Sequence, residues 1–165
     1  MDKKVEMYSR NLEQINKWIE NADIKASIIL GFAGVFLGFY ISWMSKFFDF
    51  SLNYSLTILF VAMFICVLGI IFLCLGIYNL FKTLLPDIKI QQPSLFYFGS
   101  ISQMMLNDYI DKFKNINDEE ITNDLIIQSH INAKIATVKF SNLSKGIIKV
   151  LLGFLCGIIF FILTI

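Results

Sequence analysis

Hydrophobic and polar positions divide most of this chain into three apolar stretches and two charged ones. Residues 26–44, 56–81 and 146–165 are almost entirely apolar, and Lys149 is the one charge among them. About 20 apolar residues are enough to cross a hydrocarbon core of ~30 Å as a helix. The pattern therefore predicts three transmembrane helices, with the Lys149 ammonium reaching back to the nearer interface.

The first 25 residues carry a different pattern, in which apolar side chains recur every three or four positions. This spacing places one apolar stripe along an amphipathic helix, formed by Val5, Tyr8, Leu12, Ile15, Ile19 and Ala22. Such a stripe can pack on the chain's own cytosolic part, on a second protomer or on the membrane surface. Mixed charge on the other faces favours packing against protein. Because no helix breaker separates this leader from the first span, we expect one continuous helix.

Residues 82–145 form the second charged stretch. Apolar residues step by four from Ile101 to Phe113, which predicts a helix, while the alternation at 87–91 predicts a short extended piece. Asp118-Glu119-Glu120 begins a further helix, because acidic side chains favour its positive end. The predicted fold is an all-α membrane protein with three transmembrane helices, a small, mostly helical cytosolic module (82–145) and an N-terminal amphipathic helix (1–25).

Positive charges predict the orientation. Five Lys or Arg residues precede the first span, one lies in the connection at 45–55, and eight lie from Lys82 to Lys149. Cytosolic segments are the ones enriched in positive charge. The leader and the module are therefore predicted to be cytosolic, 45–55 a short periplasmic connection, and the C-terminus periplasmic. We expect a multi-pass membrane protein.

Two spans contain pairs of glycines four residues apart. Gly34 and Gly38 lie in the first span, and Gly153 and Gly157 lie in the last. Small residues at this spacing let helix backbones approach closely within lipid, where no hydrophobic drive holds helices together. We expect these glycines to form the interface of a homo-oligomer surrounded by membrane lipid.

Composition excludes several classes of function. A net charge of +1 argues against nucleic-acid partners. The single His130 and three cysteines, all in apolar runs, predict neither a metal site nor a disulfide framework. No nucleophile–base set and no glycine-rich phosphate loop is found. Proton-coupled transporters usually carry a charged residue at mid-depth in the membrane. The three predicted spans carry none there. The sequence predicts a protein that is not an enzyme and needs no cofactor.

Asp23 and Lys25 stand where the charged leader meets the first span. They lie two positions apart and so face different directions on a helix. In one interpretation the Lys25 ammonium reaches the headgroups and Asp23 stays hydrated. In the other, both residues act in gating, through a polar contact that holds the resting state at the membrane boundary.

Several short motifs occur in a characteristic order along nearly the whole chain. They are Trp18, Ala22-Asp23-x-Lys25-Ala26-Ser27, Pro93, Leu95-Phe96-Tyr97-Phe98-Gly99, Tyr109, Gln128, Lys134 and Lys139-Phe140. This order resembles the transmembrane effectors of Pycsar antiphage defence. The resemblance implies an effector that responds to cyclic UMP or cyclic CMP made by a cognate cyclase. It also implies that the response impairs the inner membrane and causes abortive infection.

The resemblance implies a ligand with one negative charge and a pyrimidine base. Arg10 is the only arginine in the chain, so lysine, backbone N–H groups or a helix N-terminus would bind the phosphate. Aromatic and amide side chains would bind the base. The candidate contacts are Phe96, Tyr97, Gln128, Lys134 and Lys139, with Phe98, Gln91 and Gln92 as further ones. Core packing of the aromatics and a solvated surface for the lysines are the alternative interpretation.

Two other functions fit the same architecture. One is a membrane effector of another nucleotide-signalling defence system, gated by a different nucleotide. The other is a small structural or immunity membrane protein that has no ligand. A nucleotide cyclase encoded beside the gene would favour gating over the ligand-free function.

Overall fold

The computed structural model describes residues 3–50, 55–85 and 94–165, without the side chains of residues 48–50 and 98. This part of the chain is helical, as predicted, and it contains no strand. Three of its helices are long and apolar enough to cross a membrane. The helices are α1 (Lys3–Phe50), α2 (Leu56–Leu84), α3 (Phe98–Ile101), α4 (Leu106–Asn115) and α5 (Asp118–Leu163). The extended piece predicted at 87–91 and the candidate contacts Gln91 and Gln92 lie outside the described residues.

Helix α1 joins the leader and the first span without a break, as the absence of a breaker predicts. It continues past Met44 to Phe50, because residues 45–50 contain neither proline nor glycine to end it. The Ser45 hydroxyl donates to the Ser42 carbonyl oxygen at 2.8 Å within this last part of the helix. The exposed faces of the leader carry ion pairs between residues four apart, Arg10 with Glu6 and Lys17 with Glu13.

The helix predicted from Ile101 begins later than the apolar spacing indicates. Helix α3 ends at Ile101, and α4 begins only after Met105, which is extended (φ −68°, ψ 147°). Between them, the Ser102 hydroxyl donates to the Gly99 carbonyl oxygen at 3.0 Å. Local bonds from serine compete with the regular hydrogen bonds of a helix, and glycine is a poor helix former. The spacing of four identified the apolar face of α4 but not this turn.

Helix α5 begins where the acidic residues predict it. Asn117 and Glu120 satisfy each other's backbone groups: the Glu120 N–H donates to Asn117 Oδ1 at 2.8 Å, and the Asn117 N–H donates to Glu120 Oε2 at 3.3 Å. This reciprocal arrangement is a capping box. It fixes the first turn of α5 next to the end of α4.

The chain divides into two compact units. The polar unit comprises Met1–Asn21 and Pro86–Val138, and the span unit comprises Ala22–Leu85 and Lys139–Ile165. In the polar unit, Ile15 of the leader is buried, and the Asn132 side-chain amide donates to Asn16 Oδ1 at 2.7 Å. The leader therefore packs on protein within its own chain, whereas its stripe favoured protein over lipid without choosing between its own chain and a second protomer.

Buried residues of the span unit repeat at intervals of three and four along α2 and α5 and of four and seven along α1, with Asn79 of α2 buried in addition. This is the heptad spacing of helices that wrap around one another with a left-handed twist. The buried positions are Ala22, Ala26, Ala33, Tyr40 and Phe47 on α1; Ala62, Cys66, Gly69, Leu73, Gly76, Leu80 and Thr83 on α2; and Lys139, Leu143, Gly146, Val150, Gly153, Gly157, Phe160 and Thr164 on α5.

Glycines bring the backbones of α2 and α5 together. A Cβ atom added to any of three glycines would lie 2.6–2.8 Å from a branched side chain of the facing helix. The contacting pairs are Leu73 with Gly153, Val150 with Gly76, and Leu80 with Gly146. Positions rise along α2 as they fall along α5, so the two helices are antiparallel.

Aromatic side chains attach α1 to the other two helices. The Tyr40 hydroxyl donates to the Cys66 carbonyl oxygen at 3.2 Å, and the Tyr40 ring fills the space beside Gly69 and Gly157. Further along α1, Trp43 Nε1 donates to Thr164 Oγ1 at 2.9 Å. These contacts span α1, α2 and α5 within one unit.

Candidate functional site

A cavity of about 500 Å³ lies in the polar unit. It is bounded by the end of α4, the first three turns of α5 and residues on either side of α3. Its volume is in the range of about 300–1,000 Å³ that is typical of small-molecule sites. The lining residues are Ser94, Leu95, Met104, Lys112, Asn115, Ile116, Glu120, Asn123, Asp124 and Ile127.

Asp124 fixes one wall of this cavity. Its Oδ2 accepts hydrogen bonds from the Ser94 hydroxyl at 3.0 Å and from the Leu95 N–H at 2.9 Å. The Ser94 oxygen in turn accepts from the Phe96 N–H at 3.0 Å. Hydrogen bonds to a carboxylate are short and strong. One side chain of α5 thus holds three successive residues of the segment before α3.

The polar groups of the cavity comprise one cation, two carboxylates and two amides. Lys112 lies in the last turn of α4 and is exposed, whereas Glu120 lies in the first turn of α5. Asn115 and Asn123 contribute side-chain amides from the two helices. A lysine binds an anionic group, carboxylates accept from hydroxyl and N–H donors, and amides do both. The cavity is therefore suited to a small polar molecule.

Of the ligand contacts predicted from the sequence, the five whose side chains the structure describes do not line this cavity. Phe96 and Lys134 are exposed, and the Tyr97 ring packs beside Gly99. Gln128 is buried, and its Nε2 has no hydrogen-bond partner among the described residues. A role for these residues in ligand binding stays a prediction. The structure places Phe96, Tyr97, Gln128 and Lys134 in the polar unit and Lys139 in the span unit.

Sequence reasoning missed Lys112, Asn115 and Asn123. The available signal was the short interval at 116–117 between the predicted helix that contains Lys112 and the acidic start of the next. Such an interval forces the end of one helix against the start of the other. The residues beside it are therefore close in space as well as in sequence.

A second polar site lies in the span unit, between α1 and α5. The Lys139 ammonium donates to Asp23 Oδ1 and forms an ion pair with it. The Lys139 side chain is 5% exposed and that of Asp23 is 36% exposed. A buried ammonium without a partner would cost several kcal/mol, so Asp23 makes the position of Lys139 possible. Lys25 is exposed and has no ion-pair partner among the described residues.

The four glycines of the predicted oligomer interface have different surroundings. Gly153 and Gly157 contact side chains of their own protomer, Leu73 for the first and Phe36 and Tyr40 for the second. A Cβ atom at Gly34 or Gly38 would meet no described atom within 4 Å. The outward face of α1 therefore has open space at Gly34 and Gly38. Their role between protomers stays a prediction.

Known proteins resemble this chain over most of its length. A family model described as the Pycsar effector protein domain matches residues 7–165. The Pycsar effector protein GmPycTM from Gulbenkiania mobilis is 27% identical over 161 residues, which cover 84% of this chain and 81% of the relative. No solved structure has significant similarity to the chain.

Proposed function

This chain belongs to the family of Pycsar effector proteins, and we propose that it responds to a cyclic pyrimidine mononucleotide by impairing the inner membrane. Family membership implies a role in antiphage defence. The signal is cyclic UMP or cyclic CMP from a cognate cyclase, and the outcome is abortive infection. The observation that carries the proposal is the family match, which extends through the leader, all three apolar helices and the polar unit.

The polar unit senses the nucleotide, and the span unit acts on the membrane. Helices α1 and α5 each contribute residues to both units without interruption. A continuous helix has no hinge at which a rotation could be absorbed. A change in the packing of the polar unit is therefore transmitted along these helices to their membrane-spanning residues.

The Asp23–Lys139 pair stabilises the resting state. It joins α1 and α5 close to the first residue that each helix contributes to the span unit, Ala22 on α1 and Lys139 on α5. A two-state protein is switched by a ligand that binds one state more tightly than the other. Loss of this pair would lower the free-energy difference that the ligand must overcome.

The protein lies in the bacterial inner membrane as a homo-oligomer, with no enzymatic step in its response. The excess of Lys and Arg in the leader and in residues 82–145 supports a cytosolic position of the polar unit. A cytosolic position gives it access to a nucleotide made there. The open face of α1 at Gly34 and Gly38 contacts a second protomer.

Co-expression with a cyclase tests this function. Cells that carry the effector with an active pyrimidine cyclase are expected to lose membrane potential, and cells with the effector and a catalytically inactive cyclase are not. If the effector alone depolarises cells at matched, low expression, no ligand gates it. If cells keep their membrane potential both with the effector alone and with the effector and an active cyclase, the ligand-free structural function is favoured instead.

A further inference from the structure

The cavity of the polar unit combines side chains from two helix ends that the capping box holds together. Lys112 and Asn115 come from the end of α4, and Glu120 and Asn123 come from the start of α5. The reciprocal bonds of Asn117 and Glu120 fix the turn between them. The backbone that carries these polar side chains is therefore fixed at the turn between the two helices.

We propose that this cavity binds one cyclic pyrimidine mononucleotide, with Lys112 at its phosphate and Asn115 and Asn123 at the edge of its base. The assignment rests on the proposed function, from which the class of nucleotide is taken. It differs from the contacts expected from the sequence, because neither Lys134 nor Lys139 lines the cavity.

The charges of the lining residues select the orientation of the nucleotide. Glu120 and the neighbouring acidic residues occupy the first turn of α5, so they repel a phosphate from a helix end that would otherwise attract it. The Lys112 side chain on α4 provides the cation instead. A cyclic mononucleotide carries one negative charge, and Lys112 is the one cation among the ten described lining residues, which also include the carboxylates of Glu120 and Asp124.

The carboxylates suit the hydrogen-bond donors of the same molecule. A 3′,5′-cyclic phosphate leaves one ribose hydroxyl free, and carboxylates commonly accept from such hydroxyls. Uracil presents a ring N–H and cytosine an amino group, to which carboxylates and amides also bind. Asp124 engages its Oδ2 with Ser94 and Leu95, so its other oxygen can accept a donor of the ligand.

The remaining walls are aliphatic. Leu95, Met104, Ile116 and Ile127 provide apolar surface against which a base can lie. No aromatic ring is among the lining residues that the structure describes, so packing on aliphatic side chains replaces the stacking that the sequence led us to expect. A cyclic dinucleotide would bring a second phosphate, and the described lining residues include no second cation.

Binding measurements on the detergent-solubilised full-length protein test the assignment. The probes are cyclic UMP, cyclic CMP, cyclic AMP and cyclic di-GMP, measured by calorimetry. Lys112→Gln is expected to weaken binding of the pyrimidine nucleotides by at least about tenfold, because it removes a charge-assisted hydrogen bond. Lys114→Gln is the matched control, since Lys114 lies in the same turn of α4, is exposed and does not line the cavity.

A second pair of variants tests the base contacts. Asn123→Leu is expected to weaken binding and to change the ratio of the affinities for cyclic UMP and cyclic CMP. Asn107→Leu, on the exposed surface of α4, is expected to leave both affinities unchanged.

Lys112→Arg is the control for folding at the phosphate contact. It should bind the pyrimidine nucleotides more tightly than Lys112→Gln and close to the wild-type affinity, which a general loss of folding would prevent.

The outcomes separate this assignment from the function on which it rests. If the wild type binds a cyclic pyrimidine nucleotide and both Lys112→Gln and Asn123→Leu bind it equally well, the cavity is not the site and the function stands. If the wild type binds neither cyclic UMP nor cyclic CMP, both the assignment and the proposed signal are wrong. Preferential binding of cyclic di-GMP would likewise overturn both.

Discussion

The Lys139 ammonium and the Asp23 carboxylate form an ion pair between α1 and α5, and the lysine is the more deeply buried partner. The residues are 116 positions apart in the sequence. Removing one partner of a buried pair typically costs about 3–5 kcal/mol, because the other charge stays buried without compensation. The cost is asymmetric here: Asp23 is partly hydrated when alone, whereas Lys139 is not.

Loss of the Asp23 charge is expected to activate the effector without its ligand. Asp23→Asn leaves the Lys139 ammonium buried without a counter-ion, which destabilises the packing that contains it. We expect loss of membrane potential in the absence of a cyclase, measured at wild-type abundance in the membrane. Lys25→Ala is the matched comparison, and its effect should be smaller because Lys25 is exposed.

Exchanging the two charges tests whether the pair itself is responsible. Asp23→Lys alone places two ammonium groups together and should activate more strongly than Asp23→Asn. Combining it with Lys139→Asp restores opposite charges and should return the resting behaviour at least in part. Equal behaviour of wild type and Asp23→Asn at equal abundance would show that the pair does not control the response.

The glycines of α1 and α5 are expected to respond differently to enlargement. Gly34→Leu adds a side chain where nothing lies within 4 Å, so the protomer should fold normally while its self-association weakens. Gly157→Leu drives a side chain into Phe36 and Tyr40 and should destabilise the protomer by about 1–3 kcal/mol, as overpacking does. Thermal unfolding and oligomer size in detergent distinguish the two. An unchanged oligomer in Gly34→Leu would remove this face from the interface.

Tyr40 and Gly69 are expected to be energetically coupled. A Cβ atom at Gly69 would lie 2.6 Å from the Tyr40 hydroxyl oxygen, so Gly69→Ala should destabilise the span unit. Tyr40→Phe removes that oxygen and one hydrogen bond to the Cys66 carbonyl, worth about 0.6 kcal/mol on average within membranes. The double variant should lose less stability than the two single losses combined. Strict additivity in thermal unfolding would argue against the contact.

Reporter fusions test the orientation. A reporter inserted at Asn117 is expected to give a cytosolic signal, and one fused after Ile165 a periplasmic signal. The reason is the excess of Lys and Arg in the leader and in residues 82–145. A periplasmic signal at Asn117 would contradict both the orientation and the access of the polar unit to a cytosolic nucleotide.

The long elements of this fold are predictable because each depends on local pattern alone. Runs without charge identify the membrane-spanning parts of α1, α2 and α5, and the absence of a breaker predicts the unbroken α1. The turn between α3 and α4 was missed, because it depends on the backbone preferences of Gly99 and Ser102 and not on apolar spacing.

The partners of the predicted site residues depend on tertiary packing and were not predictable. Nothing near Asp23 selects Lys139 over the other lysines of the chain. The spacing of Gly153 and Gly157 indicates a packing face but not that Leu73 and Tyr40 fill it. The cavity at Lys112 likewise requires the end of α4 to meet the start of α5, and the spacing of apolar residues does not predict such a contact.

The heptad spacing of buried residues indicates that the helices of the span unit supercoil around one another. The spacing averages 3.5 residues, slightly less than one turn of an α-helix, so the buried stripe drifts by about 20° per heptad and the helices must coil to keep it in contact. Because Leu73, Leu80 and Val150 lie against glycines, axial travel between α2 and α5 meets steric stops. The α2–α5 pair therefore resists sliding, and a rearrangement of the span unit is expected to keep these two helices together.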